Sequence, residues 1–151
     1  MITFKKFFES NKPLGLIETI TFKELGPIEA KIDSGNGAYN VLHGINLKYS
    51  GLDDNYEGRS HVTFETVDGK TIKKRVVEFI DINVGSDSNG EATIDNRPVV
   101  EFDIEIGDKV YPATKFSIGS REQNEYKILV GKDFIEQLGG LIDVSAENNL
   151  D

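Results

Sequence analysis

Hydrophobic and polar residues alternate with a period of two along most of the chain, in short runs broken by turn residues. The cleanest run sets Val100, Phe102, Ile104 and Ile106 against Glu101, Asp103 and Glu105, as expected of a strand with one buried face. Comparable β-rich stretches cover 15–23, 28–33 after the Gly26-Pro27 turn, and 41–49. Asp68-Gly69 predicts a two-residue hairpin turn joining 60–67 to 70–84, because both central positions of such a turn take positive φ. In the second arm Ile72, Val76, Ile80, Ile82 and Val84 share one parity, and Val77 and Phe79 break the alternation. Gly107-Asp108 turns the chain into a strand over 109–118, and polar loops are expected over 51–58 and 119–125.

Helical spacing is rare. Phe4, Phe7 and Phe8 suit either a short amphipathic helix over 3–10 or a frayed arm. Phe134, Ile135 and Leu138 form one face of a helix that starts after Gly131 and stops at Gly139-Gly140, and 141–144 reads as a last short strand. Many short strands with one or two short helices argue for an all-β barrel or sandwich.

The length of 151 residues fits one domain able to bury a core without disulfides or a structural metal. Residues 13–146 form that domain, with an arm or short helix over 1–12 and an acidic tail over 147–151. The 17 Lys and Arg against 26 Asp and Glu give a formal charge of −9, which argues against nucleic acid as a partner. No apolar run has the ~20 residues of a membrane span, and MITFKKFFESNK is too polar for a secretory signal. The expectation is a soluble, cytoplasmic protein. The absence of Cys removes thiolate zinc sites and a cysteine nucleophile, and His43 and His61 are the only imidazoles.

Two stretches carry candidate chemistry. In IDSGNGAYNVLHG a β-rich run ends on Asp33, followed at once by Ser34 and Gly35; alone, Asp-Ser-Gly is an ordinary turn. Far downstream, YKILVGKDFIEQLGG sets the apolar Leu129 and Val130 before Gly131 and a short helix. Together these resemble the retropepsins, and more specifically the bacterial and phage branch that goes by the name ATP-dependent zinc protease and is linked with RimK-type glutamate ligases. The similarity extends over roughly residues 27–144, including NGEATIDNRPVVEFDIEIG.

The resemblance implies a retropepsin-like closed barrel with a short C-terminal helix, acting as a homodimeric aspartic endopeptidase on a peptide or protein substrate. Asp33, Ser34 and Gly35 would be the catalytic loop. Leu129, Val130 and Gly131 would be its cradle. Each chain supplies one Asp33, and the pair shares a proton across the two-fold axis. The flap over the substrate would be a hairpin whose tip is Gly85, Ser86, Asp87, Ser88, Asn89 and Gly90; the Asp68-Gly69 hairpin is the rival. His43 and Arg97 are candidate substrate contacts, each with a structural alternative: a packed histidine and an ion pair. Two isolated histidines and no phosphate-binding loop argue against zinc and ATP, so no cofactor or metal is expected. Two features depart from the family. Gly37 and Ala38 stand where many retropepsins place an acidic brace, and Lys132 replaces the Arg it would hold, which Lys cannot match as a bidentate partner. Other readings of the same residues are a non-catalytic binding or structural module, virion or ribosome associated, and a metal hydrolase. A phage-encoded protein in host cytoplasm or virion is equally compatible.

Overall fold

The structure, a computed structural model, describes residues 12–51 and 57–150; the helix or arm expected over 3–10 lies outside them. The described elements are strands β1 (Ile17–Phe22), β2 (Gly26–Ile32), β3 (Asn40–His43), β4 (Ile45–Ser50), β5 (His61–Glu65), β6 (Thr71–Arg75), β7 (Glu78–Ser86), β8 (Ala92–Ile106), β9 (Lys109–Gly119) and β10 (Ile128–Val130), and helix α1 (Lys132–Gln137). Seven strands form one sheet in the order β1-β2-β10-β3-β9-β8-β7, and a further pairing of β1 with β8 brings the sheet back on itself. That closing contact is short, Thr21 facing Glu105 and Phe22 facing Ile104. A second sheet, β4-β5-β6, packs beside this ring. The all-β expectation therefore holds. Among the described residues no helix is long and apolar enough to cross a membrane.

Alternation places the core inside. Phe102, Ile104 and Ile106 of β8 are buried while Asp103 and Glu105 are exposed. Phe22, Phe102 and Phe116 meet at its centre, with the Phe22 and Phe102 rings 5.2 Å apart edge to face, the geometry aromatic quadrupoles favour. Asp68 and Gly69 take the positive φ predicted for the hairpin turn, 56° and 70°, and Lys70 N–H donates to Val67 O at 3.1 Å.

Three expected elements are corrected. The single strand over 41–49 is two, β3 in the ring and β4 in the second sheet, divided at Gly44. A Cβ on Gly44 would collide with the Ile118 side chain and lie 2.9 Å from Phe64, so the chain changes sheets where only glycine fits. The arm over 70–84 also divides: Val76 N–H donates to Ser60 O and Val77 N–H to Val99 O, both at 2.9 Å. Residues 141–144 form no strand, only an isolated bridge between Leu14 and Ile142.

Candidate active site

β10 lies between β2 and β3, parallel to the first and antiparallel to the second. The loop that links β2 to β3, residues 33–39, is thereby held against the end of β10. Asp33 N–H donates to Val130 O at 3.0 Å, and Lys132 N–H donates to Asn36 O at 2.8 Å. The buried Asn40 side chain accepts from Gly131 N–H at 2.9 Å and donates to Lys115 O at 3.2 Å. Gly131 has an ordinary φ of −92°. Space is what it supplies: a Cβ there would lie 2.6 Å from Ala38 O. Val130 and Gly131 thus meet the Asp33 loop, whereas Leu129 pairs with Lys31 and Val41 in the flanking strands.

Within the loop, the Asp33 carboxylate accepts from Gly35 N–H at 3.0 Å and Asp33 O accepts from Asn36 N–H at 3.1 Å, a side-chain-capped turn. Asn36 repeats the device, its Oδ1 accepting from Ala38 N–H at 3.0 Å and its amide donating to Tyr39 O at 3.3 Å. Asp33 is half-buried and Ser34 and Gly35 are exposed, so the loop presents a carboxylate at the surface on a backbone fixed from behind.

The cations beside it come from elsewhere. Burial and then the Arg97 guanidinium push Arg121 below the usual arginine range, and the Asp33 carboxylate opposes them; Arg97, Arg121 and Asp33 are therefore electrostatic neighbours. Arg121 Nε–H donates to Tyr126 O at 2.8 Å. Arg97 pairs with Asp95 at 2.7 Å and its guanidinium lies against Gly119. Lys127 Nζ donates to Arg121 O, Glu122 O and Asn124 O at 2.9 to 3.1 Å, tying the 121–124 turn to β10. His43 is buried, and its Nδ1 accepts from Arg121 N–H at 2.9 Å. Burial first, then Lys127 and Arg121 against an opposing Glu122, lowers its pKa. His43 thus braces the turn that carries Arg121.

The hairpin of β7 and β8 extends outward: Val84 and Ile94 are 51% and 55% exposed. At its tip the Asp87 carboxylate accepts from Asn89 N–H and Glu91 N–H, each at 2.9 Å. Its base is tied to the Asp33 loop, because Tyr39 OH donates to Glu78 at 3.1 Å and Lys115 Nζ approaches the same oxygen at 3.4 Å. Among the described residues no three His, Asp or Glu side chains gather so as to hold a metal ion.

Sequence reasoning missed Asn36, Asn40, Arg121 and Lys127. Asn36 carried a faint signal, since Asn before Gly is turn chemistry. Asn40 and Arg121 act through partners distant in sequence, and Lys127 acts on nearby backbone carbonyls that no side-chain pattern marks.

A family model described as RimB-like, retropepsin-like aspartic endopeptidase RimB, matches residues 14–149. Among solved structures, a DUF785 protein of unknown function from Legionella pneumophila is similar over 91% of this chain and 97% of its own, at 22% identity and a TM-score of 0.67. That likeness concerns the fold. No curated protein matches the chain.

Proposed function

The chain belongs to the RimB-like family of retropepsin-like aspartic endopeptidases, and from that premise we propose that it hydrolyses peptide bonds at a dyad made by Asp33 of two copies. The observation that carries the reading is the cradle: Asp33 N–H on Val130 O and Lys132 N–H on Asn36 O hold a surface carboxylate rigidly at the end of β2. Peptide hydrolysis needs a base for the water and an acid for the carbonyl at the same moment, and one chain offers this pair only when doubled. Two carboxylates about 3 Å apart share one proton because both cannot ionise readily. The ionised member takes a proton from water as its oxygen attacks the carbonyl carbon. The protonated member donates to the carbonyl oxygen. When the tetrahedral intermediate collapses, the carboxyl that took the water proton passes it to the nitrogen as the C–N bond breaks, and one hydroxyl returns its proton to the other carboxylate, restoring the shared proton.

In this reading Ser34 and Gly35 meet the partner loop across the axis, the β7 and β8 hairpin with its tip Gly85–Gly90 is the flap, and the link between Tyr39 and Glu78 couples that flap to the catalytic loop. Arg121, with Arg97 behind it, supplies positive charge for a carboxylate on the substrate. His43 acts only through the turn it braces.

The test is mass-spectrometric detection of cleavage in a diverse peptide library, at acidic and neutral pH, with wild type and Asp33→Asn. Cleavage lost in a variant that keeps its fold is the expected result. Activity per chain should also fall on dilution through dimer dissociation. Equal cleavage by Asp33→Asn would refute the assignment, and a folded dimer that cleaves no peptide would favour a non-catalytic binding module.

A further inference from the structure

An open cleft of about 610 Å³ lies between the turn that joins β1 to β2, the hairpin turn that joins β5 to β6, and Lys127 at the start of β10. Its walls are held by bonds already in place. Lys70 Nζ donates to Leu25 O at 3.2 Å, Thr66 OH to His43 O at 2.6 Å, and His43 N–H to Lys127 O at 2.8 Å. Ile28, which lines the cleft, precedes Asp33 by five residues, roughly 16 Å along an extended strand. The cleft is therefore a place apart from the Asp33 loop.

One donor in it is left over by the fold. His43 is only 7% exposed, and its Nδ1 accepts from Arg121 N–H at 2.9 Å, which in a neutral ring puts the proton on Nε2. Burial first, then Lys127 and Arg121 against an opposing Glu122, favours that neutral ring. No described residue accepts from Nε2. Among the described residues, however, no fully buried side-chain nitrogen or oxygen lacks a partner. Nε2 must then reach open space, and the open space that His43 lines is this cleft.

The surroundings are acidic above an apolar floor. Glu65, Asp68 and Glu122 line the cleft, and the lining cation, Lys127, already shares its ammonium among Arg121 O, Glu122 O and Asn124 O. Ile28, Ile45 and Val67 are half-buried there and supply the floor. A complementary ligand has an acceptor for the imidazole N–H, a cationic head and apolar flanks. A short peptide segment has all three, in its backbone carbonyl, a Lys or Arg side chain, and aliphatic neighbours.

We propose that this cleft docks a basic, partly apolar peptide segment of a partner protein. A backbone carbonyl of the segment accepts from His43 Nε2–H, a Lys or Arg head lies among Glu65, Asp68 and Glu122, and aliphatic side chains cover Ile28 and Ile45. The site stands whether or not Asp33 cleaves peptides.

Three fluorescein-labelled peptides, differing only in Lys, Gln or Glu between two leucines, would be titrated into full-length Asp33→Asn protein by fluorescence anisotropy, so that none is consumed. The Lys peptide should bind tightest and the Glu peptide weakest. Glu122→Gln should weaken the Lys peptide relative to the Gln peptide about two- to five-fold, the scale of one exposed charge pair. At saturation with the Lys peptide the His43 Nε2 nitrogen resonance should move, while that of His61, at the other end of β5 from Glu65, stays in place. No binding of the Lys peptide up to about 1 mM, equal affinity for the Lys and Glu peptides, or an unmoved His43 resonance at saturation would each overturn the proposal. So would spermidine that binds as tightly as the Lys peptide, since charge alone would then account for the site. Cleavage or its absence in the wild type bears on the peptidase reading alone.

Discussion

Replacing Gly131 by Ala tests whether the cradle sets the position of Asp33. Its φ of −92° suits any residue, so the substitution imposes no backbone strain, and stiffening the unfolded chain would by itself stabilise by about 0.4–1 kcal/mol. The obstacle is space. The new Cβ would lie 2.6 Å from Ala38 O, 3.1 Å from Asn36 O and 3.2 Å from Asn36 Nδ2, whereas ordinary contact begins near 3.4 Å. The loop would have to retreat by about 0.8 Å, against the bond between Lys132 N–H and Asn36 O. Overpacking of this kind costs about 1–3 kcal/mol, so a net loss of roughly 1–2 kcal/mol is expected. Misplacing a reacting group by about 1 Å costs on the order of 100-fold in rate. Urea denaturation and peptide cleavage measured side by side should therefore show a small stability loss and a rate loss near two orders of magnitude. Gly37→Ala is the control, because nothing lies within 4 Å of its Cβ position, and it should leave both nearly unchanged. A Gly131→Ala enzyme with wild-type kcat would refute the cradle argument.

Other substitutions probe the parts around the loop. Glu18→Ala leaves three backbone N–H groups without their buried acceptor and should cost roughly 3 kcal/mol by urea denaturation; a loss under about 1 kcal/mol would mean water replaces the carboxylate. Because His43 is held below its unfolded pKa of 6.5, the unfolded chain binds the extra proton first as pH falls. Its contribution to stability is full above that value and declines as pH drops toward the folded value. Urea midpoints at pH 7.5 and 5.5 should differ less in His43→Asn than in wild type, and an equal difference would count against the assignment. Lys127→Met removes the cation that three carbonyls share, so limited proteolysis should cut the 121–124 turn faster while the unfolding midpoint moves little; unchanged cutting would show the turn holds by other means.

Local chemistry was legible in the sequence wherever one residue's neighbours decide its state. The alternation over Val100–Ile106 gave the buried face of β8, Gly131 and Gly139-Gly140 bounded α1, and Asp68-Gly69 fixed a turn. What the alternation does not reveal is which sheet a strand joins. The run over 41–49 keeps its period through Gly44 although the chain leaves one sheet for another there, and the steric reason lies on Ile118 and Phe64. Glu18 shares the parity of the buried Ile20 and Phe22, and what the alternation does not reveal is that the backbone N–H groups of Asn149 and Leu150, over a hundred residues away in sequence, satisfy its carboxylate. Asp33 stood out only through the family resemblance that its loop carries together with the distant Leu129-Val130-Gly131 run, since Asp-Ser-Gly alone is an ordinary turn. Arg121 did not, because only the tertiary fold brings its charge within reach of Asp33.

The insertion of β10 between β2 and β3 also fixes an order of assembly. Hairpins such as β5–β6 and β8–β9 join neighbours in sequence and can form early, but Ile128–Val130 must thread between two strands about a hundred residues upstream. Contacts of such long separation form late. The amide of Asp33, bonded to Val130 O, should gain protection in pulse-labelled refolding only after those of β8 and β9. A growing chain therefore holds no finished Asp33 loop until β10 has entered the sheet, so the last strand of the ring, and not the residues next to Asp33, decides when the loop takes its final shape.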